Sequence, residues 1–264
     1  MRPLLGIHRA RARSPGRISV SGPQNHRSRS ADRIAALADR YDLPPRGAAS
    51  LGALLERLIE DPFAPTGVVE PSRAIDDHLA DSLVALEIEQ VRSAAMVADL
   101  GAGAGFPGLP LAIALPHASV TLVDSNARKC AFIERVSVTC GIDNASVVRA
   151  RAEAWPEGLG RFDLITARAL APLGVVAEYA APLLRPGGAL LVWRGRRDHE
   201  DETVGVRAAS VLGLEAGEPR LVHPYTGAQH RHLHLMLKVS PTPAGFPRRL
   251  GMARKRPLGA EHSG

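Results

Sequence analysis

Val-Ala-Asp-Leu-Gly-Ala-Gly-Ala-Gly-Phe, residues 97 to 106, is the stretch on which the reading of this chain turns. A short apolar run ends in the carboxylate Asp99, and glycines then alternate at Gly101, Gly103 and Gly105. An apolar run broken by such a turn marks a strand that feeds a helix through a tight loop. Glycine permits positive φ and lets the backbone approach a ligand closely. The helix that follows presents free N–H groups and the positive end of its dipole. A ligand-free turn of small residues is the plainer alternative, but three alternating glycines carry a backbone-entropy cost that such a turn does not require. The stretch predicts a nucleotide-like cofactor.

Spacing narrows the choice. A dinucleotide turn reads Gly-x-Gly-x-x-Gly. Here Phe106 stands where its third glycine belongs, and the glycine comes one residue early. A nicotinamide dehydrogenase is thereby disfavoured. Gly-x-Gly-x-Gly behind an acid is the pattern of enzymes that use S-adenosylmethionine. That cofactor has no pyrophosphate, so the loop need only run close to its adenosyl and methionyl parts.

The 264 residues suffice for one sizeable α/β domain with additions at its ends. No apolar run approaches the roughly 20 residues that span a bilayer. The first 30 residues lack the apolar core and small-residue cleavage site of a secretory signal, so a cytoplasmic protein is expected. Cys130 and Cys140 form neither a CxxC nor a zinc spacing and fall in one expected helix, which suits two reduced, buried thiols.

The formal charge of +6 is unevenly spread. Residues 1 to 30 hold seven arginines and no acid, and residues 241 to 264 hold five Lys/Arg and one acid, leaving 21 bases against 26 acids between them. Basic ends suit a polyanion such as RNA, and a small-molecule or protein methyltransferase would not need them.

Along the chain, residues 1–30 read as a basic disordered tail, 31–92 as N-terminal helices, 93–240 as the catalytic domain and 241–264 as a second basic tail. Helical spacing recurs from Asp32 to Tyr41, from Leu51 to Ile59, and in one helix from Pro71 or Ser72 to about Val91. Strands are expected at Met96–Leu100, Ser119–Asp124, Ala145–Arg149, Phe162–Ala167 and Gly188–Arg194, alternating with helices at Gly108–Leu115, Asn126–Cys140 and Leu173–Leu184. A helix at His199–Leu212 and strands at Arg220–His223 and His232–Val239 follow. Such alternation specifies a doubly wound, mostly parallel seven-stranded sheet.

Ligands bind such sheets beyond the carboxyl ends of the strands. Phe106 stands after the first strand, where it can pack on the cofactor or in the core. Asp124 ends the second strand, 23 residues after Gly101, where a carboxylate can accept both ribose hydroxyls. Its plainer alternative is an N-cap for the next helix. Ala152 and Glu153 follow the third strand and suit an adenine edge. Arg168 ends the fourth, placed to hold a carboxylate or phosphate, and Arg194 and Arg196 end the fifth. The fourth strand carries no Asn/Asp-Pro-Pro-aromatic motif, which excludes exocyclic-amine methylation. Neither cysteine follows a proline, which excludes attack through pyrimidine C6. His230, His232 and His234 alternate without a matching carboxylate or cysteine, so no metal is expected. His78 can line the pocket or pack beside it.

Residues 99–113, Val123-Asp-Ser125, Arg151-Ala-Glu153, Thr166-Ala-Arg-Ala169, Pro182–Gly188, His78-Leu-Ala-Asp-Ser-Leu83 and Phe246–Leu258 together resemble the small-subunit ribosomal RNA guanine-N7 methyltransferases, the RsmG or glucose-inhibited division protein B family. This chain differs from the family at Ala64-Pro65-Thr66, Arg194 and Ala253. The resemblance implies a class I methyltransferase fold and methyl transfer from S-adenosylmethionine to guanine N7 in 16S rRNA. Gly101, Phe106, Ala152, Glu153 and Arg168 would contact the cofactor. N7 has an in-plane lone pair and no proton to lose, so no general base is required. Arg168, Arg194, Arg196, Arg248, Arg249 and Lys255 are expected to hold RNA phosphates. The expected partner is 16S rRNA or the small ribosomal subunit, with no membrane, and the expected form is a monomer. The alternative is a methyltransferase of another RNA site, a small molecule or a protein.

Overall fold

The computed structural model describes residues 23 to 260. Its centre is an eight-stranded sheet with seven strands in one path, β3-β2-β1-β4-β5-β8-β6. The strands are β1 (Met96–Leu100), β2 (Ser119–Asp124), β3 (Ala145–Arg149), β4 (Phe162–Arg168), β5 (Leu184–Arg194), β6 (Leu214–Ala216), β7 (Arg220–Leu221) and β8 (His232–Lys238). The run from β3 to β5 is parallel, and β8 pairs antiparallel with β5, β6 and β7. Only three residues long, β6 is too short to leave a periodicity in the sequence. Two-residue β7 pairs with β8 alone, off the main path.

Central strands are apolar on both faces because both are covered. Val97, Leu164 and Leu191 face one hydrophobic cluster, and Ala98, Ile165 and Leu190 face the other, as the two-residue period of a strand demands. The first cluster also takes in α1 (Pro23–Tyr41) and α2 (Gly47–Glu60) through Ile34, Leu37, Leu51, Leu54 and Leu58. Leu51, Leu54 and Leu58 are fully buried, each contributing about 1.5–3 kcal/mol. The N-terminal helices are therefore continuous with the core under the sheet.

Helix α1 starts at Pro23, so the expected disordered tail of residues 1–30 gives way to helix eight residues early. Once Ile34, Leu37 and Tyr41 anchor the helix to the core, adding upstream turns propagates a formed nucleus and costs little. Residues 1–22 lie outside the described residues.

The single helix expected from Pro71 to Val91 is broken. Pro71–Ala74 (α3) is capped by Glu70, whose carboxylate accepts from the N–H groups of Ser72 and Arg73. Ile75–Ala80 then widens into a π-helix, Asp81–Leu83 (α4) returns to α geometry, Val84–Glu87 tightens to 3₁₀, and Glu89–Arg92 (α5) follows. Ile75, Leu79, Leu83 and Leu86 are buried as their spacing predicts. The wider turn departs from that spacing where Asp77 and His78 sit, and π turns of this kind gather at functional sites.

On the other face lie α8 (Leu173–Ala180) and α9 (His199–Val211), while α6 (Gly108–Ala114) and α7 (Ala127–Thr139) lie nearer the N-terminal helices. Residues 241–260, expected as a basic tail, are folded. Phe246 and Leu258 pack on the second cluster, and Ala253 of α10 (Met252–Lys255) is buried in it. The thiols of Cys130 and Cys140 are free and buried.

Candidate active site

Parallel register brings the ends of β1, β2 and β4 level, with Leu100 opposite both Val123 and Ala167. The glycine loop leaves at that edge. Gly101, Gly103 and Gly105 have φ of 71°, 61° and 90°, a region closed to most side chains. The N–H groups of Gly101 and Ala102 both donate to the Val123 carbonyl, at 2.8 and 3.1 Å, so the loop turns across the end of β2.

Asp99 fastens the loop from beneath. One carboxylate oxygen accepts the Gly108 N–H at 3.0 Å, which fixes the start of α6. The other accepts the Thr166 hydroxyl at 2.8 Å, which ties β1 to β4. A β-carbon at Gly108 would stand 2.9 Å from the Asp99 carboxylate, so the approach requires glycine. Complete burial pushes the Asp99 carboxyl up to about 7, against the pull of these hydrogen bonds.

Asp124 organises the rim. Its carboxylate accepts from the N–H of Gly103 at 3.1 Å and of Asn126 at 2.9 Å. The N-cap of α7 is Asn126, which accepts from Arg128 and Lys129, so Asp124 does not serve as the cap. A cavity of about 460 Å³ opens here, with Gly101, Asp124, Ala152, Glu153, Ala169 and Arg254 on its wall. Four expected cofactor residues, Gly101, Asp124, Ala152 and Glu153, meet in it. Ala169 has φ of 51°, a strained conformation for alanine at the end of β4.

Phe106 and Arg168, also expected to touch the cofactor, stand beside this cavity rather than on its wall. Phe106 is buried, and His78 stacks on its ring at 4.6 Å and 18°. Arg168 lies 5.8 Å from the Phe106 ring centroid. Its guanidinium donates to the Asp77 carbonyl at 2.8 Å and pairs with Asp81 at 3.0 Å. Asp77 also accepts from Tyr225 and Arg231. Arg168 is thus neutralised and held within the protein. Asp81 is legible only as part of the His78–Leu83 motif, and Asp77, Tyr225 and Arg231 carry no sequence signal, because the four converge only when the π turn meets the β8 end of the sheet.

The basic residues divide into two groups. Arg194 is paired with Asp201, which also accepts the Leu173 N–H at the start of α8. Arg248 is bound through two nitrogens to Glu178, a carboxylate only 2 % exposed, and donates to the Arg256 carbonyl at 2.8 Å. In this structure both guanidinium groups, expected at RNA phosphates, are engaged by carboxylates of the protein. Arg249 and Lys255 are exposed with no ion pair among the described residues, and Arg196 is exposed with only a 3.5 Å contact to His230. The folded tail also supplies Arg254, which donates to the Leu170 carbonyl at 2.9 Å. The Gly251 N–H reaches Glu153 at 3.3 Å. Only the chain's return across α8 reveals this wall, and a lone basic run in the sequence does not signal it. No group of three or more His, Cys, Asp or Glu among the described residues is arranged to hold a metal ion.

Residues 60–232 match the family model GidB, rRNA small subunit methyltransferase G. The chain belongs to this family. It is 39% identical over 208 residues to the Ribosomal RNA small subunit methyltransferase G of Desulfitobacterium hafniense, an alignment covering 77% of this chain and 86% of that protein. It is likewise 39% identical over 209 residues to the protein of that name from Chloroflexus aggregans, covering 77% and 87%. Among solved structures, a SAM dependent methyltransferase from Aquifex aeolicus superposes with a TM-score of 0.52 at 19% identity, over 64% of this chain and 94% of that one. That likeness establishes the class I methyltransferase fold. Family and fold together establish S-adenosylmethionine as the cofactor. The site suits it. The cavity falls in the size range of small-molecule pockets, the glycines allow close passage, and the Asp124 carboxylate at the end of β2 lies on its wall.

Proposed function

We propose that this protein transfers a methyl group from S-adenosylmethionine to N7 of a guanine in 16S ribosomal RNA. The observation that carries the reading is the cavity that joins Gly101, Asp124, Ala152 and Glu153 at the carboxyl edge of the sheet, in a chain of this family. When bound there, the cofactor supplies an electrophilic methyl group on a sulfonium. Asp124 accepts ribose hydroxyls, Gly101 lets the backbone pass close, and Ala152 and Glu153 flank the adenine edge. The protein's task is to align N7 with the methyl carbon and exclude water, which is catalysis by orientation. N7 brings its own lone pair, so the site needs no proton acceptor.

N7 faces the major groove, which is too deep and narrow in A-form RNA for side chains to reach. The target is therefore unpaired or turned out of its stack. Arg196, Arg249 and Lys255 are the exposed cations that grip phosphates, and binding is accordingly salt-dependent. Residues 93–240 form the catalytic unit, with the helices before it and the folded segment after it as its supports. The protein acts as a monomer in the cytoplasm; no helix among the described residues is long and apolar enough to cross a membrane. The test is incubation with labelled S-adenosylmethionine and small subunits from a strain lacking the gene, followed by mapping of the modified base. Label on an exocyclic nitrogen, a ribose or a protein would overturn the assignment.

A further inference from the structure

Thr66 lies in the loop between α2 and α3, next to the π turn. Its hydroxyl oxygen accepts the Val68 N–H at 3.1 Å and lies 3.1 Å from His78 Nε2. The other ring nitrogen, Nδ1, faces an Arg168 nitrogen at 3.4 Å. A guanidinium can only donate, so Nδ1 accepts and the ring proton sits on Nε2, from where it is donated to Thr66. Burial, aided by the Arg168 charge, pushes His78 down to about 4, so the ring stays neutral at physiological pH. Both lone pairs of the Thr66 oxygen are then engaged. Its own proton has no acceptor among the described residues, so the hydroxyl is an oriented donor.

His78 stacks on Phe106, the residue that follows Gly105. The same loop, through Phe63, Ala64 and Pro65, lines a second cavity of about 600 Å³ with Arg128 and Lys129, and Lys129 also lines the cofactor cavity. The two cavities adjoin. Thr66 follows Pro65 of that lining directly, and one side chain, His78, separates it from Phe106 at the end of the glycine loop.

Guanine shows two acceptors on this edge, N7 and O6, where adenine shows N7 and an amino donor. An enzyme that must leave the N7 lone pair free for the methyl group can recognise guanine on this edge only by a donor to O6. An adenine amino group would face the Thr66 proton donor to donor. We propose that the Thr66 hydroxyl selects guanine by donating to its O6, with His78 and Arg168 as positioning residues that fix the direction of its proton. This rests on the guanine-N7 reading above.

The test uses small subunits reconstituted with guanosine or 2-aminopurine riboside, which lacks O6, at the target position. For the parent, Thr66→Val and Thr66→Ser, kcat/KM is measured on both, with the product located at N7. The parent should prefer guanine by about 10- to 100-fold, the range for one hydrogen bond left unmade in a desolvated site. Thr66→Val should bring that ratio to within about threefold of unity, while Thr66→Ser keeps the preference. A parent enzyme that methylates both bases equally would overturn the inference, even if Thr66→Val does not fold. A Thr66→Val enzyme that keeps the parent's ratio would also overturn it. Label outside guanine N7 in the parent would instead overturn the functional reading itself.

Discussion

Replacing Arg248 by alanine should destabilise the fold before it touches RNA binding. Glu178 lies on α8 with its carboxylate 2 % exposed, and Arg248 meets it through two nitrogens, Nε at 2.6 Å. Removing one member of a buried pair leaves an uncompensated charge, at a cost of about 3–5 kcal/mol. The Arg248 side chain is 24 % exposed, so some water reaches the pair and the lower end applies. At about 2–4 °C per kcal/mol for a chain of this size, ~3 kcal/mol lowers Tm by roughly 6–12 °C. Adding Glu178→Gln should recover part of the loss, because a buried amide without a partner costs only about 1–3 kcal/mol. The assay is thermal unfolding at fixed pH, paired with RNA binding across a salt series. A tether leaves the salt slope unchanged, whereas a phosphate contact lowers it by about 0.7–0.9. An Arg248→Ala protein that melts within about 2 °C of the parent yet shows the reduced slope would refute the tether and return Arg248 to the RNA surface.

Arg249→Ala and Lys255→Ala should behave in the opposite way, each weakening RNA binding and lowering the salt slope by about 0.7–0.9 with Tm unchanged; an unchanged slope removes that residue from the interface. Gly101→Ala places a β-carbon 2.6 Å from Leu170 Cδ1 at φ of 71°. We expect a stability loss of about 1–3 kcal/mol from the strained backbone and weaker S-adenosylmethionine binding by calorimetry; parent-like affinity would show that the loop does not approach the cofactor. Asp99 has a native carboxyl near 7 against 3.8 when unexposed to burial. The native state therefore holds a proton that the unfolded chain releases, and stability falls as pH rises from about 4 to 7. Asp99→Asn lacks this titration and can still meet both Gly108 and Thr166. Urea unfolding at pH 5 and pH 8 should show the parent losing stability relative to Asp99→Asn, and parallel behaviour would count against the shifted carboxyl.

Much of the fold was legible because it is local. Met96–Leu100, Ser119–Asp124 and Ala145–Arg149 are strands with the expected bounds: the first two are largely apolar runs in a sheet covered on both faces, and the third is a partly exposed edge strand carrying the β-branched pair Val147-Val148. Gly101 and Asp124 were legible for a related reason: each follows directly from its place at a strand end. The π turn at Ile75–Ala80 was not, because apolar spacing over four turns cannot distinguish a helix widened at one of them. The division among the arginines was also hidden. Arg248 and Arg249 are neighbours in the same basic run, yet one is bound to Glu178, 70 residues away, and the other faces solvent.

What residues 97–106 determined alone was the strand, the turn and the kind of cofactor, because glycine's conformational range and strand periodicity act within a few residues. Only the tertiary structure decided which charges remain free for a polyanion. A guanidinium's role depends on whether a carboxylate reaches it across the fold, and pairing of that kind follows from packing rather than from sequence proximity. The same holds for Thr66, whose proton direction is set by His78 and Arg168, drawn together from the π turn and the end of β4.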